Sequence, residues 1–209
     1  MNRRQVIVVT DGDDEAQQAV QLAAAQVGAR CLLASAGNPT PLSGETLIAL
    51  IMEEPGEPVV VMVDDRGQQG RGAGEAVLAV LAQDERIELL GVIAVAASRS
   101  GGGESAHVDG SIDRTGRWTE GAVDKFGYRT EGRLIGDTIS VLEELPVPLV
   151  VGMGDPGKMN GADRVEAGAA VTTAALQVIL QAAEQRNGGG EQHAGTRAAN
   201  SGTQAKRQS

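Results

Sequence analysis

Residues Val6 to Val20, VIVVTDGDDEAQQAV, place four consecutive β-branched residues directly before a cluster of acids, and the acids directly before a helical repeat. An unbroken β-branched run suits a strand buried on both faces of a parallel sheet. Ala16, Ala19, Val20, Ala23 and Val27 then recur at helical spacing, so the segment reads as strand, acidic turn, helix. In open α/β sheets, ligands sit at the carboxyl ends of strands. Helix capping is the plainer use of the same acids. Asp11 or Asp13 suits the N-cap, and Asp14 and Glu15 suit the positive end of the helix dipole. Yet a cap needs one or two acids, and the turn carries four.

The same alternation continues along the chain. Arg30 to Ser35 reads as a second strand, and Ser43 as the cap of a helix with Leu47, Ile48, Ile51 and Met52 on its apolar face. Pro58 to Val63 is a third strand that also ends in acids, Asp64 and Asp65. Leu89 to Ala97 is a fourth, Ile139, Leu142 and Leu145 suggest a short helix, and Pro146 to Gly152 is a fifth strand. The last helix carries Val171, Ala175, Val178, Ile179 and Ala182. This pattern predicts a three-layer α/β domain with a mainly parallel sheet over residues 1–186. Like strand ends would bring Asp11, Asp13, Asp64 and Asp65 together as oxygen ligands of the kind Mg²⁺ or Ca²⁺ takes. Two glycine-rich loops are candidate ligand loops. One holds Gly67, Gly70, Gly72 and Gly74 before a helix, and the other holds Asp155 and Lys158. The first lacks the lysine and hydroxyl of a P-loop, and a flexible turn is its simpler meaning.

From Ser98 to Arg133 the helical period stops, and short alternating pieces, HVDGSID and GRWTEGAVD, flank a turn at RTG. A β-hairpin insertion is expected there. It holds every large ring of the chain, Trp118, Phe126 and Tyr128, packed against one another, pinned to the domain edge, or used as a docking surface. Its charges, among them Asp113, Arg114, Asp124 and Lys125, alternate as on a solvated face. Residues 187–209 have no large apolar side chain to offset the entropy of ordering, which predicts a disordered tail. The net charge of −10 argues against nucleic acid as a partner. Cys31 is the one cysteine, expected as a buried, inert thiol. The first apolar run is too short for a signal peptide or a membrane span.

The motifs VTDGD, SAGNPT, VMVDDRG, SIDRTGRWTEGAVDKFG and VVGMGDPGKM, in this order from about Val6 to Ile179, resemble the stage V sporulation protein AE family. The resemblance implies the soluble member of an operon in endospore-forming bacteria whose other products move dipicolinic acid with calcium across the inner spore membrane. It implies a non-enzymatic accessory protein acting in sporulation and spore germination. Such a protein would be located in the spore cytoplasm or peripherally at that membrane, with the other transport proteins as partners. No catalytic residue is carried over with the family, and the oligomeric state is left open.

Two other chemistries compete for the strand-end acids. VVTDGD is similar to the acidic strand end of Toprim-type nucleases, but the glutamate those enzymes carry on an earlier strand has no counterpart here. A receiver-like phosphoacceptor would use Asp11 and Asp13 for Mg²⁺, Asp64 or Asp65 as acceptor and Lys158 as the contacting cation. Only Ser98 stands near its expected hydroxyl position. DGDD fails as a sugar-phosphatase motif because Glu15 occupies the hydroxyl or valine position.

Overall fold

The computed structural model describes residues 3–67, 72–97, 104–136 and 138–198, with side chains to residue 188. The β-branched run lies in β1 (Arg4–Val9), and Val6 to Val9 have no exposed surface. Alternation along the strand divides them between two cores: Val6 and Val8 face one, Ile7 and Val9 the other. The chain continues through α1 (Asp14–Gln26), β2 (Arg30–Cys31), α2 (Gly44–Glu53), β3 (Val59–Met62), α3 (Ala73–Gln83) and β4 (Ile87–Val95). Short strands β5 (Glu104–Ala106), β6 (Gly110–Ile112), β7 (Trp118–Thr119), β8 (Ala122–Val123), β9 (Arg129–Thr130) and β10 (Leu134–Gly136) follow. The order ends with β11 (Val150–Met153) and α4 (Ala170–Ala198).

Among the described residues the main sheet has seven strands in the order β2-β3-β1-β4-β11-β6-β7, parallel throughout except where β7 turns back on β6. Helices α1 and α4 cover one face through Ala16, Val20, Leu176 and Ile179, and α2 and α3 cover the other through Leu47, Ile51, Leu78 and Leu81. The expected three-layer α/β domain is therefore present. Its strand order excludes the receiver-like reading, because that arrangement sets the third strand beside the fourth. Here β1 separates β3 from β4.

Several boundaries differ from the sequence pattern. The second strand pairs only over Arg30 and Cys31, and Leu33–Ser35 form a 3-10 turn. The Ser35 hydroxyl takes over the end of the ladder, donating to the Leu32 carbonyl at 2.6 Å and accepting the Met62 amide at 2.9 Å. The helix suggested by Ile139, Leu142 and Leu145 is a 3-10 turn at Ser140–Glu143. The fifth strand starts at Val150 because Pro146 and Pro148 have no amide to donate. Cys31 is half-buried rather than buried, and burial, with the Glu54 carboxylate adding to it, pushes its thiol up to about 11.

The insertion is not a detached hairpin. β6 extends the main sheet beyond β11, while Ala106 and Ala122 pack into the α2–α3 side core together with Leu134 and Leu142, which follow the insertion. Residues 98–103 of the insertion lie outside the described residues. Within it, residues 112–121, IDRTGRWTEG, and residues 123–132, VDKFGYRTEG, are two copies of one unit. Both fold alike. Asp113 and Asp124 each accept the amides two and four residues on, and Gly116 and Gly127 (φ 78° and 77°) each donate back to the aspartate carbonyl at 2.8 Å. Each unit is thus one aspartate-glycine hairpin turn.

Among the described residues no single helix is long and apolar enough to cross a membrane. Met159–Ala167 and Ala170–Gly188 reach that length only together, bent by 85°, and Val171, Leu176 and Ile179 of this pair lie in the core. α4 enters the segment expected to be a tail and continues to Ala198, but among the described side chains, which end at residue 188, the last buried one is Ala183, and residues 199–209 lie outside the described residues. Packing, not helix length, therefore sets where the chain contributes to stability. Truncation after Gly188 should leave the melting temperature unchanged. Ile179→Ala, which empties a fully buried site against Gly91, should cost about 2–5 kcal/mol in chemical unfolding.

Candidate functional site

Loops following β1, β2, β3, β4 and β11 meet at the carboxyl edge of the sheet and enclose a cleft of about 210 Å³. Because α1 and α3 lie on opposite faces, the loops after β1 and β3 diverge around it, which is where open α/β sheets leave a crevice. Hydroxyls fix its floor. Thr10 Oγ1 accepts the Val95 amide at 2.9 Å, tying the end of β1 to β4. Thr40 Oγ1 accepts the Asp64 amide at 2.7 Å and donates to the Asp64 carbonyl at 3.0 Å.

The acids have separate employments. Asp13 caps α1, its Oδ1 accepting the amides of Glu15 and Ala16 at 3.1 and 2.9 Å. Its Oδ2 is 2.5 Å from Lys158 Nζ, which also lies 3.9 Å from Glu15. Asp11 Oδ1 accepts the Asp13 amide at 3.1 Å. Asp64 accepts the amides of Gly12 and Arg66 at 3.1 and 2.7 Å. Asp65 is turned away from the others. Its carboxylate accepts the amides of Gly74 and Glu75 at 2.6 and 3.2 Å, capping α3 from outside that helix.

The four aspartates expected to form one metal cluster are therefore not brought together as a set. Asp11, Asp13 and Asp64 share the cleft with Asp155, whereas Asp65 serves α3. Among the described residues no three His, Cys, Asp or Glu side chains are arranged to hold a metal ion. The glycine-rich loop has the same explanation: a Cβ on Gly72 would stand 2.1 Å from Asp65 Oδ1, so the close approach required there is to the protein's own carboxylate. Gly74 supplies an amide to that carboxylate, Gly67 makes a turn at φ 67°, and Gly70 lies outside the described residues.

Electrostatics separate the acids further. Burial first, then the Asp13 carboxylate with a smaller contribution from Asp64, pushes Asp11 up to about 7. Burial also presses Asp13 upward, but the amides of Ala16 and Glu15 together with Lys158 outweigh it and hold Asp13 below the usual carboxylate range. For Lys158, burial is outweighed by Asp13, Asp11 and Asp155, which keep it charged. Burial raises Asp65. Lys158 is thus bound to one strongly ionised carboxylate, Asp13, beside a carboxyl, Asp11, raised to about 7.

Lys158 arrives on a strained loop. Gly157, Met159, Asn160 and Gly161 all have positive φ, between 48° and 85°. Asn tolerates this region, so the cost, on the order of 1–3 kcal/mol, falls mainly on Met159. Two anchors hold it: Met159 is buried, and the fully buried Asp163 accepts the amides of Gly157, Val171 and Thr172 and the Thr172 hydroxyl. The same loop receives the insertion, since Asp155 donates its amide to the Lys125 carbonyl at 2.9 Å. Lys125 lines the cleft rather than joining a solvated face, a placement the alternating charges conceal and the second repeat unit explains. Trp118 lies over Gly110 beside Ile112, 42% exposed, while Phe126 and Tyr128 share the second turn, half-buried and 52% exposed.

Asp11 gives the site a pH signature. A carboxyl whose folded value is raised from 3.8 to about 7 contributes stability that is fully present below 3.8 and lost as the pH rises through 7. Asp11→Asn keeps the acceptor for the Asp13 amide and removes the titration. Chemical unfolding between pH 4 and 8 should show the variant losing less stability than the wild type and exceeding it at pH 8, by up to about 4 kcal/mol. Equal slopes for the two proteins would contradict the placement of Asp11.

Neither a curated protein nor a solved structure matches the chain. The family model of stage V sporulation protein AE1 matches residues 5–183, which takes in the main sheet from the second residue of β1, the insertion and α4 as far as Ala183. The chain belongs to the stage V sporulation protein AE1 family, and its role lies in sporulation.

Proposed function

We propose that this protein is a non-enzymatic accessory component of the machinery that moves dipicolinic acid and calcium in the spore. It acts in sporulation and germination by docking at the inner spore membrane alongside the transport proteins. Family membership supports the process. The observation that carries the docking role is the exposure of Trp118 and Tyr128, 42% and 52%, in a chain with no other tryptophan or tyrosine. Large rings left in water on a rigid scaffold suit the centre of an interface. The strand-end acids support the same role from the other side: they cap helices, anchor loops and pair with Lys158, which are structural employments.

A second reading, use of the cleft by Ca²⁺ or Mg²⁺, draws support from the four aspartates that line it. It requires Lys158 to leave Asp13, because the ammonium stands where the cation's charge would act.

In an endospore-forming host, loss of the gene should lower the dipicolinic acid content of spores or slow its release on germination. A Trp118→Ser, Tyr128→Ser variant should fail to restore either. Normal content and normal release kinetics in the strain lacking the protein would contradict the proposal.

A further inference from the structure

The two hairpin units place matched residues at matched positions: Arg114 with Lys125, Thr115 with Phe126, Arg117 with Tyr128, and Trp118 with Arg129. Seven of these eight side chains are cations or rings. The acid of each turn, Asp113 or Asp124, is occupied by backbone amides, and the amide and hydroxyl of Thr115 outweigh burial to hold Asp113 below the usual carboxylate range. Duplication has therefore kept the turn geometry and engaged the turn acids with the backbone, while the exposed Glu120 and Glu131 lie beyond the turns.

The tips touch. The Arg114 amide donates to the Gly127 carbonyl at 2.9 Å, and a Cβ on Gly127 would come within 2.8 Å of the Arg114 backbone. The Arg114 guanidinium lies over the Tyr128 ring, 4.5 Å from its centroid, and donates to its hydroxyl. Arg129 stands near enough to Asp113 to favour that carboxylate's charge, and Arg117 and Arg129 are both exposed. Lys125 departs from the set by turning into the cleft over Phe126. What the tips leave accessible includes three arginines around an exposed tyrosine, on a chain whose net charge is −10.

We infer that these paired turn tips are a docking surface for anionic phospholipid headgroups, an inference that rests on the membrane docking proposed above. Charge complementarity selects the occupant. An anionic bilayer repels the chain as a whole and attracts this end, so the contact is oriented. Arginine forks bind phosphate oxygens, and a tyrosine with an apolar body and a wet hydroxyl suits the depth of the headgroups. An acidic protein segment would offer the charge without that layered polarity.

Sedimentation of the full chain with vesicles tests the inference, comparing phosphatidylcholine alone with an equal mixture of phosphatidylcholine and phosphatidylglycerol. Binding is expected only to the anionic vesicles and should weaken with salt. Arg114→Gln and Arg129→Gln should each lower the partition coefficient about fivefold, and the Arg114→Lys, Arg129→Lys variant should retain it, which separates charge from misfolding. Arg86→Gln is the control. Arg86 precedes β4 at the opposite end of the sheet, paired with Asp84 and Glu45, and should bind as the wild type does. No binding to anionic vesicles, equal binding to both kinds, or an equal loss in Arg86→Gln would overturn the inference. Absent vesicle binding beside a dipicolinic acid defect in spores rejects lipid docking alone, whereas normal spores reject the accessory role itself.

Discussion

The ion pair of Asp13 with Lys158 is the contact on which the carboxyl edge of this sheet depends. Parallel strands bring like ends together, and here the loops after β1, β3 and β11 deliver aspartates. Gathered carboxylates repel and raise one another's pKa unless cations or amides offset them. Lys158 supplies the cation. Its side chain and that of Asp13 are 29% and 33% exposed, so the direct worth of the pair is modest, on the order of 1 kcal/mol. Its position matters more than its energy, because it ties the loop after β11 to the start of α1 and puts a positive charge beside Asp11, Asp13 and Asp155.

That loop is also where the rest of the molecule converges. Asp163 fastens it to α4, Met159 fastens it to the core, and the Asp155 amide fastens it to the second hairpin unit through the Lys125 carbonyl. Anything that displaces Lys158 therefore acts on α1, α4 and the insertion together. A backbone already strained at Met159 holds one arrangement only while all three anchors persist. One of the two proposed docking tips lies on the same hairpin unit as Lys125, so the surface that meets a partner and the cleft at the strand ends share a support.

Much of this was legible in the residues. The β-branched run at Val6 to Val9 specifies a strand buried on both faces, and the alternation of apolar segments specifies the layers. Ser43 caps α2 and Asp13 caps α1, as their positions before helical repeats imply. What escaped depends on partners distant in the chain. Asp65 looks like a twin of Asp64, but its carboxylate reaches amides nine and ten residues on, and only Gly72 leaves it room. Lys125 follows the alternation of a solvated face, yet it sits in a turn, where side chains do not alternate. The repeat spanning residues 112–132 was the available signal, since two equal turns must stack and the second must meet the β11 loop.

The Lys158 ammonium stands against the strand-end acids, where it offsets their charge. Thermal unfolding of the wild type and of Lys158→Met with millimolar Ca²⁺, with Mg²⁺ and with chelator tests this role most directly. Coincident curves are expected for the wild type in all three conditions, and a lower melting temperature for the variant that divalent cations partly restore. A wild type stabilised by either ion, together with a Lys158→Met variant as stable as the wild type in chelator, would contradict it.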